Sequence, residues 1–303
     1  MASRARTSKP EPAARGFGIA ALQLDLDRGD NVARIAAEVA MLKKRMPWVR
    51  MVVVGELAAF GADPARAQAM PGPAEQRFCE VARKHGLWLV PGSIYERKGS
   101  LVFNTAPVID PAGNVVARYR KQFPFYPYEK GVEPGHESIV FDVPGVGRFG
   151  ISICYDMWFA ETTRSLCWMG AEVILHPTMT YTIDRDVELA IARASAASNQ
   201  CYFVDVNVAG SLGLGRSIVC GPGGEVIHQA GSGREIIAFE VDFAYLRNVR
   251  ERGWQCLTQP LKSFRDSKIV FPAYGAGVAP SETLARLGRL AIATDGGDDP
   301  GKA

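Results

Sequence analysis

Residues Phe149 to Thr180, FGISICYDMWFAETTRSLCWMGAEVILHPTMT, carry the clearest pattern in this chain. The apolar, β-branched run at their start predicts a buried strand that ends at Cys154. A helical pattern follows and stops at Gly170, and a second short strand begins at Val173. This order places a thiol at the carboxyl end of a sheet, where open α/β folds keep their ligand sites. A cysteine in an apolar run is usually a core residue, so its interpretation depends on the rest of the chain.

Composition sets the class of protein before any motif is considered. The chain has 303 residues, of which 47% are hydrophobic and 22% charged, as is ordinary for a soluble globular protein. Its net charge is +3, and the basic residues are scattered among acidic ones, so no nucleic-acid partner is predicted. No apolar run approaches the roughly 18 residues of a membrane span. The six cysteines form no CxxC pair, which predicts reduced thiols in a cytoplasmic protein.

Three segments are predicted along the chain. Residues 1–15 are basic and proline-containing but have no apolar core, so we expect a disordered leader and no secretory signal. Residues 16–271 are expected to form one folded domain. Residues 272–303 have little to bury, and we expect a C-terminal extension that is partly disordered.

Within the domain, strand patterns alternate with helix patterns twice, but hairpins interrupt the alternation. Strands are predicted at 17–24, 49–54, 87–90, 102–109, 115–119, 139–143, 147–153, 173–175, 202–208, 217–219, 226–227 and 236–241. Helices are predicted at 31–45, 73–84, 184–198 and 242–252, and after Cys154, where Leu166, Trp168 and Met169 are expected on the apolar side. Because hairpins bring antiparallel pairs, this α/β protein is expected to have mixed sheets covered by outer helices.

Four residues could supply chemistry. Glu56, Lys121 and Cys154 each end or follow a buried strand, and Glu129 lies in the aromatic loop from Gln122 to Gly135. Each has an ordinary interpretation by itself, as a turn residue, a surface lysine, a core thiol or a loop ion pair. Together they offer what attack on a carbon–nitrogen centre needs: a thiol, a base to ionise it, and a cation to hold the developing oxyanion.

The sequence around these residues resembles the nitrilase, or carbon–nitrogen hydrolase, superfamily. The resemblance rests on GEL at Glu56, YRKQ at Lys121, YEKGVEPG at Glu129 and GISICYD at Cys154, in the order and spacing of that family. The HP of LHP and the segment NQCYFVDVN resemble its later elements, and the match covers roughly residues 16 to 245. The fold that this resemblance implies is a four-layer αββα sandwich with two mixed β-sheets.

The resemblance also implies roles for the residues. Glu56 would be the general base, Cys154 the nucleophile, and Lys121, with the backbone N–H of Tyr155, the oxyanion donors. Glu129 would orient Lys121 or the substrate nitrogen. The family works without metal or cofactor. Its members usually form homodimers or higher homo-oligomers through the αββα faces, and their C-terminal segments often cross between subunits, so residues 272–303 are expected to be partly disordered or to cross to a second subunit.

Tyr155 and Asp156 follow the nucleophile, as in the amide-hydrolysing branches that this chain resembles. Possible substrate-binding residues are Tyr155, Phe125, Tyr126 and Met179, together with their aromatic neighbours Phe123 and Tyr128. Core or interface packing is at least as good an interpretation for each of them.

The predicted activity is that of a cofactor-independent thiol amidohydrolase, which cleaves a small or medium carboxylic amide to acid and ammonia through a Cys154 thioester. An N-carbamoyl amide hydrolase, a nitrilase, an acyltransferase that uses the same thioester, and a non-catalytic scaffold remain open.

Other polar residues receive less specific interpretations. Arg185 and Arg193, on the helix after 184, are expected on a solvated face, and His176 is expected to be a structural histidine near the site. The cysteines other than Cys154 are expected in the core. Residues 211–215, SLGLG, resemble a phosphate loop only superficially and are predicted to be a turn before the second hairpin.

Overall fold

One seven-stranded and one six-stranded sheet organise the molecule. A computed structural model describes residues 16–126, 129–275, 277–288 and 290. The strands are β1 (Phe17–Gln23), β2 (Asp25–Leu26), β3 (Val49–Val54), β4 (Trp88–Val90), β5 (Ile94–Lys98), β6 (Leu101–Ile109), β7 (Val115–Arg120), β8 (Ile139–Val143), β9 (Gly147–Ile151), β10 (Val173–Thr178), β11 (Tyr202–Asn207), β12 (Ala209–Gly210), β13 (Ile218–Cys220), β14 (Val226–Gln229) and β15 (Glu235–Val241). The helices are α1 (Val32–Arg45), α2 (Pro73–His85), α3 (Ala160–Trp168), α4 (Arg185–Asn199), α5 (Phe243–Arg252), α6 (Pro260–Asp266) and α7 (Glu282–Ala285).

Both large sheets are mixed, as the sequence predicted. The first has the order β15-β1-β3-β4-β6-β5, with β7 also paired to β6, and the second has the order β14-β13-β11-β10-β9-β8. At the centre of each sheet three strands run parallel: β1, β3 and β4 in one, and β9, β10 and β11 in the other. Hairpins add antiparallel strands outside these centres, which is why a purely parallel sheet was not expected.

The two sheets pack against each other through one apolar layer. In β3, for example, Met51 and Val53 face the second sheet, while Val52 and Val54 face the helices on the other side. The inter-sheet layer includes Ile19, Ala21 and Val90 from the first sheet and Phe149, Ile151, Val173, Leu175, Val204 and Val206 from the second. A strand buried on both faces has no polar alternation, so the continuous run at 49–54 follows from its central position.

Helices cover the outer face of each sheet and complete the αββα sandwich. Helices α1 and α2 bury Ile35, Val39, Leu42, Phe78 and Val81 against the first sheet. Helices α3 and α4 bury Leu166, Leu189, Ala192 and Ala196 against the second. Each fully buried side chain of this size contributes about 1.5–3 kcal/mol relative to leaving it in water.

The expected apolar side of the helix after Cys154 is wrong at two positions. Leu166 is buried, but Trp168 is 57% exposed and Met169 42% exposed. The chain first makes a 3₁₀ turn at Cys154–Trp158, and α3 begins only at Ala160, so the helical phase differs from that of one continuous helix. Trp168 instead packs edge-on against Phe264 of α6, with ring centroids 5.7 Å apart.

Helix α6 was not predicted, and the segment after it lies along α3. Phe264 stacks on Phe271, and the Tyr274 hydroxyl donates a hydrogen bond to Glu161 over 2.5 Å. The domain limits at residues 16 and 271 stay predictions, and the predicted leader at 1–15 and residues 291–303 lie outside the described part of the chain. Within the described residues, no helix is long and apolar enough to cross a bilayer.

Candidate active site

Cys154 stands at the end of β9 in a conformation that few cysteines adopt. Its φ is +45°, in the left-handed region, and the 3₁₀ turn begins at this residue. A non-glycine residue there costs of order 1–3 kcal/mol, and such strain is found most often at functional sites. The sharp turn directs the thiol away from the strand and to the edge where β3 and β10 also end.

Lys121 joins the two glutamates that the sequence singled out. Its Nζ donates to Glu56 Oε1 over 2.9 Å and to Glu129 Oε2 over 2.7 Å. Lys121 and Glu56 are almost completely buried, and Glu129 is largely so. One buried cation between two buried carboxylates leaves the group with a net negative charge, which additional donors must balance.

The side-chain donors come from residues that sequence reasoning missed. Asn104 Nδ2 donates to Glu56 Oε1 over 2.8 Å and to Glu129 Oε1 over 3.2 Å, and the Tyr95 hydroxyl donates to Glu129 Oε1 over 3.3 Å. The backbone N–H of Phe125 donates to Glu129 Oε2 over 2.6 Å. The available signal was a polar residue inside an apolar strand, since Asn104 interrupts the run Leu101–Ile109 and is fully buried.

The thiol of Cys154 completes this group and is neutral at rest. It hydrogen-bonds the Glu56 carboxylate, and burial, followed by the negative charge of Glu56, raises the pKa of Cys154 well above its usual value. Burial also raises the pKa of Glu56, although Lys121 opposes this. The pKa of Lys121 is raised well above its usual value because the two glutamates outweigh its burial. The arrangement therefore couples a neutral thiol to a strengthened base beside a permanent cation.

Asp156 fastens the nucleophile turn to the aromatic loop. Its carboxylate accepts the Tyr119 hydroxyl over 2.6 Å, the Ile153 N–H over 2.8 Å and the Phe123 N–H over 2.9 Å. Burial raises the pKa of Asp156 to about 6. One carboxylate thus holds three separate segments of the chain around Cys154.

The sequence pattern of carbon–nitrogen hydrolases matches residues 18–251. This chain belongs to the carbon–nitrogen hydrolase family. Among its relatives, the human omega-amidase NIT2 is 28% identical over 257 residues, which cover 78% of this chain and 92% of the human protein. The 2-oxoglutaramate amidase of Bacillus subtilis strain 168 is 30% identical over 245 residues, covering 77% of this chain and 93% of that protein.

Solved structures show the same carbon–nitrogen hydrolase fold. Nit3 of Saccharomyces cerevisiae, a member of branch 10 of the nitrilase superfamily, superposes with a TM-score of 0.73 at 27% identity and covers 79% of this chain and 94% of its own. An amidase of the nitrilase superfamily from Nesterenkonia AN1 superposes with a TM-score of 0.70 at 25% identity, over 79% of this chain and 96% of its own. The family resemblance and the predicted αββα fold are confirmed.

Aromatic rings of this carbon–nitrogen hydrolase gather beside the nucleophile. Tyr155 packs edge-on against Phe125 and Phe159, with ring centroids 4.9 Å and 5.3 Å apart, and Phe123 stacks on Phe159 at 3.6 Å. The Tyr126 hydroxyl donates to the carbonyl of Val132, which ties that ring to its own loop. Tyr128 lies outside the described residues.

Met179 is the last of the predicted substrate-binding residues, and it follows β10 on the other side of the nucleophile. Its side chain is partly buried and packs against apolar side chains that include Leu57 and Tyr95. The backbone N–H of Met179 hydrogen-bonds the Cys154 sulfur. Its contact with the nucleophile is therefore through the main chain.

Two expectations about other polar residues have different outcomes. Arg185 is fully buried, so its placement on a solvated face was wrong; its guanidinium contacts Glu188 over 3.0 Å and Asp205 over 2.6 Å. His176 is buried beside the site as expected, where Nδ1 lies 2.7 Å from Ser152 Oγ. Burial lowers the pKa of His176 to about 4, so the ring is neutral near pH 7.

The cysteines and the SLGLG segment were mostly placed correctly. Cys167, Cys201 and Cys220 are buried, but Cys79 is only partly buried and Cys256 is exposed, so the core assignment was wrong for Cys256. Residues 211–215 form a turn that leads into β13, as predicted. Within the described residues no group of three or more His, Cys, Asp or Glu side chains could hold a metal ion.

Proposed function

We propose that this carbon–nitrogen hydrolase is a thiol amidohydrolase that converts a small or medium carboxylic amide to the acid and ammonia, with Cys154 as nucleophile. The observation that carries the proposal is the meeting of Cys154, Glu56 and Lys121 in one buried group, although they lie far apart in sequence. The names of the relatives support the amide as substrate, because they include an omega-amidase and a 2-oxoglutaramate amidase.

The first half-reaction forms a thioester. Glu56 takes the proton of the Cys154 thiol as the sulfur attacks the amide carbon. The Lys121 ammonium and the N–H of Tyr155 stabilise the oxyanion of the tetrahedral intermediate. Glu56 then gives its proton to the amide nitrogen, the carbon–nitrogen bond breaks, and ammonia leaves. The raised pKa of Glu56 suits both directions of this proton transfer.

The second half-reaction returns the free enzyme. A water molecule gives a proton to Glu56 as its oxygen attacks the thioester carbon. The second tetrahedral intermediate expels the Cys154 sulfur, which recovers its proton from Glu56, and the carboxylic acid leaves. Glu129 touches Lys121 and supports this sequence by keeping the ammonium directed at the reacting oxygen. No metal or cofactor takes part in the proposed mechanism.

A solved relative offers a chemical parallel. A variant of the Nesterenkonia amidase, which superposes with a TM-score of 0.70 at 25% identity, shows covalent addition of the acetamide moiety of fluoroacetamide at its active-site cysteine. We therefore expect small amides and their halogenated analogues to reach Cys154 in this chain.

The decisive experiment measures ammonia release from a panel of amides, nitriles, ureas and N-carbamoyl acids. Wild-type protein is expected to act on amides. The Cys154→Ala variant should lose more than about 1,000-fold of that rate, since removing one oxyanion donor alone costs about 100- to 1,000-fold. Cys256→Ala, which changes an exposed thiol, is the matched control and should keep full activity. Amide turnover by Cys154→Ala near the wild-type rate would refute the proposal.

Acyl transfer from the same thioester is the second candidate. Hydroxylamine added during turnover would be converted to a hydroxamate, and the ratio of hydroxamate to free acid separates transfer from hydrolysis. Mass spectrometry of the intact protein would also detect the acyl group on Cys154. A protein that neither carries that group nor releases ammonia with any amide would be a scaffold, not an enzyme.

The setting of the enzyme is also part of the proposal. We infer a homodimer or higher homo-oligomer, a cytoplasmic location, and no nucleic-acid or membrane partner. The family resemblance supports the oligomer, and six cysteines without a disulfide among the described residues support a reducing compartment.

A further inference from the structure

We propose that the Thr180 hydroxyl, whose proton is held by the buried carboxylate of Glu188, turns only oxygen lone pairs toward the Cys154 sulfur, disfavours its thiolate form and packs against it to fix its position. Thr180 and Glu188 would then be positioning residues for the thiol chemistry proposed above, on which this inference rests. They lie on the side of the sulfur where the Met179 N–H also contacts it, and neither belongs to the group of Glu56, Lys121 and Glu129.

The contacts form a short chain that leads away from the nucleophile. Cys154 Sγ lies 3.9 Å from Thr180 Oγ1, and Thr180 Oγ1 donates to Glu188 Oε1 over 2.9 Å. Thr180 is 6% exposed and Glu188 is 2% exposed. Since a hydroxyl has one proton, its donation to Glu188 leaves only lone pairs for the sulfur.

The backbone of Thr180 is held just as firmly as its side chain. The Thr180 N–H donates to Asn207 Oδ1 over 2.9 Å, and Asn207 Nδ2 donates back to the Thr180 carbonyl over 3.0 Å. Asn207 Nδ2 also donates to the Gly215 carbonyl over 2.8 Å. A residue fixed by both peptide groups and by its hydroxyl has little freedom to turn its proton toward Cys154.

Glu188 accepts because a buried guanidinium keeps it charged. Arg185 donates to Glu188 Oε2 over 3.0 Å, and its other side contacts Asp205 over 2.6 Å. Burial and Asp205 raise the pKa of Glu188, and Arg185 opposes them. An ionised carboxylate can only accept hydrogen bonds, so the direction of the chain from Thr180 to Glu188 is set by Arg185.

The charged groups that face Cys154 are Glu56, Lys121 and Glu188, and those that face Glu188 are Arg185 and Asp205. Glu56 alone serves the reaction as base. The negative charge of Glu188 acts on the sulfur from the opposite side and disfavours a thiolate in the absence of substrate. The resting enzyme is thereby protected from alkylation and oxidation, because thiolates are the reactive form.

The test compares Thr180→Val with Thr180→Ser. Valine keeps the shape of threonine and removes the hydroxyl, whereas serine keeps the hydroxyl. All proteins carry Cys256→Ser so that the exposed thiol does not react. The alkylation rate of Cys154 by iodoacetamide is measured by peptide mass spectrometry from pH 6 to 10, and this readout needs no amide substrate.

Loss of the oxygen lone pairs that face the sulfur should make the thiolate easier to form. We expect Thr180→Val to alkylate at least about threefold faster than wild type at pH 7 and to shift its pH profile to lower pH, while Thr180→Ser keeps the wild-type profile. Glu188→Gln should shift the profile in the same direction, because its amide can donate to the Thr180 oxygen and free the hydroxyl proton for the sulfur. Thermal denaturation checks that each variant is folded.

Several outcomes would overturn the inference. Unchanged profiles in both Thr180→Val and Glu188→Gln would remove the two residues from any role at the sulfur. Slower alkylation in Thr180→Val would show that the Thr180 hydroxyl donates to the sulfur, which is the opposite of the proposal. If Thr180→Val does not fold, the alkylation profile of Glu188→Gln alone tests the inference, and an unchanged profile in that variant overturns it. A wild-type protein that hydrolyses no amide but shows these shifts would refute the proposed function and leave this inference standing.

Discussion

At the scale of single residues, the site is built on buried charges that partners from other elements must satisfy. Lys121 contacts two carboxylates, and those carboxylates take further hydrogen bonds from Asn104 and Tyr95. Leaving a buried donor or acceptor unsatisfied costs about 1–3 kcal/mol, and more when the group is charged. The residues around this candidate catalytic group are therefore expected to matter for both activity and stability.

Asn104 gives a direct test of this expectation. Asn104→Leu removes the neutral side chain that, beside Lys121, donates to both Glu56 and Glu129, so we expect kcat to fall at least about tenfold and the free energy of unfolding by about 1–3 kcal/mol. Ammonia release and urea denaturation provide the two measurements. Asn114→Ala, at the exposed turn between β6 and β7, is the control and should leave kcat unchanged. Wild-type kcat in Asn104→Leu would mean that the bridge is dispensable.

His176 makes stability depend on pH with a definite sign. Its pKa falls from 6.5 to about 4 because burial disfavours the charged ring, so the unfolded chain binds a proton that the folded one refuses. This stability is fully present above pH 6.5 and is lost as the pH falls toward 4, by up to about 3 kcal/mol. His176→Gln should lose less stability than wild type between pH 6.5 and 4. Denaturant unfolding at each pH measures the free energy of unfolding of both proteins.

Asp156 also makes stability depend on pH in that range, and its effect has the opposite sign to that of His176. Its pKa is raised to about 6, so the folded protein binds a proton more readily and gains stability as the pH falls below 6. The contribution of Asp156 is common to wild type and His176→Gln and cancels in their difference. A difference that does not change between pH 6.5 and 4 would contradict the assignment of His176.

At the scale of elements, close backbone contacts bring the strand ends together. A Cβ added to Gly92, just after β4, would overlap the carbonyl oxygen of Gly55, just before Glu56. Gly92 also has a φ of +83°, which L side chains rarely adopt. The first residue of the site is therefore placed by a main-chain contact that only glycine permits.

A pair of glycine variants separates close approach from backbone strain. Gly92→Ala should lower both activity and the melting temperature strongly, because strand β4 cannot move away without disturbing Glu56. Gly99→Ala, in the turn between β5 and β6, has a similar φ of +62° but open space around the added carbon. It should cost only about 1–2 kcal/mol for the left-handed conformation, with unchanged kcat. Equal effects of the two substitutions on activity would show that the contact with Gly55 is unimportant.

At the scale of the whole molecule, apolar side chains remain exposed around α3 and α4. Ile183 is 91% exposed, and Val187 and Trp168 are also exposed. The αββα faces are where the family resemblance implies subunit contact. Since exposed apolar side chains are frequent at interfaces, we expect these helices to lie against a second copy of the chain.

Oligomeric state provides the measurement. Size-exclusion chromatography with light scattering should give at least a dimer for wild-type protein at micromolar concentration. Ile183→Asp combined with Val187→Glu should shift it to a monomer, whereas Leu101→Glu, at an apolar position on β6 that is as exposed as Val187, should not. A monomeric wild-type protein, or dimers that persist in the double variant, would contradict the proposal.

Local patterns in the sequence predicted mixed sheets covered by helices, and the family resemblance added the four-layer arrangement and the candidate site residues. Strands buried on both faces are continuous apolar runs, as at 49–54, and hairpins carry their own turn residues, as at 110–114. The family motifs around Glu56, Lys121, Glu129 and Cys154 are equally local, because each residue follows the end of its own strand or lies in its own loop. Such signals are carried by neighbouring residues and survive without knowledge of the fold.

The contacts between segments that are distant in sequence could be seen only in the tertiary structure. Arg185 was expected in solvent because burying an unpaired charge is too costly, and its burial is possible only because Asp205 on β11 and Glu188 meet it there. Asn104 and Tyr95 acquire their role only when their strands bring them to the two glutamates. Trp168 is exposed because a 3₁₀ turn shifts the helix that carries it. In each case the free energy depends on partners that are remote in sequence, and no local pattern records them.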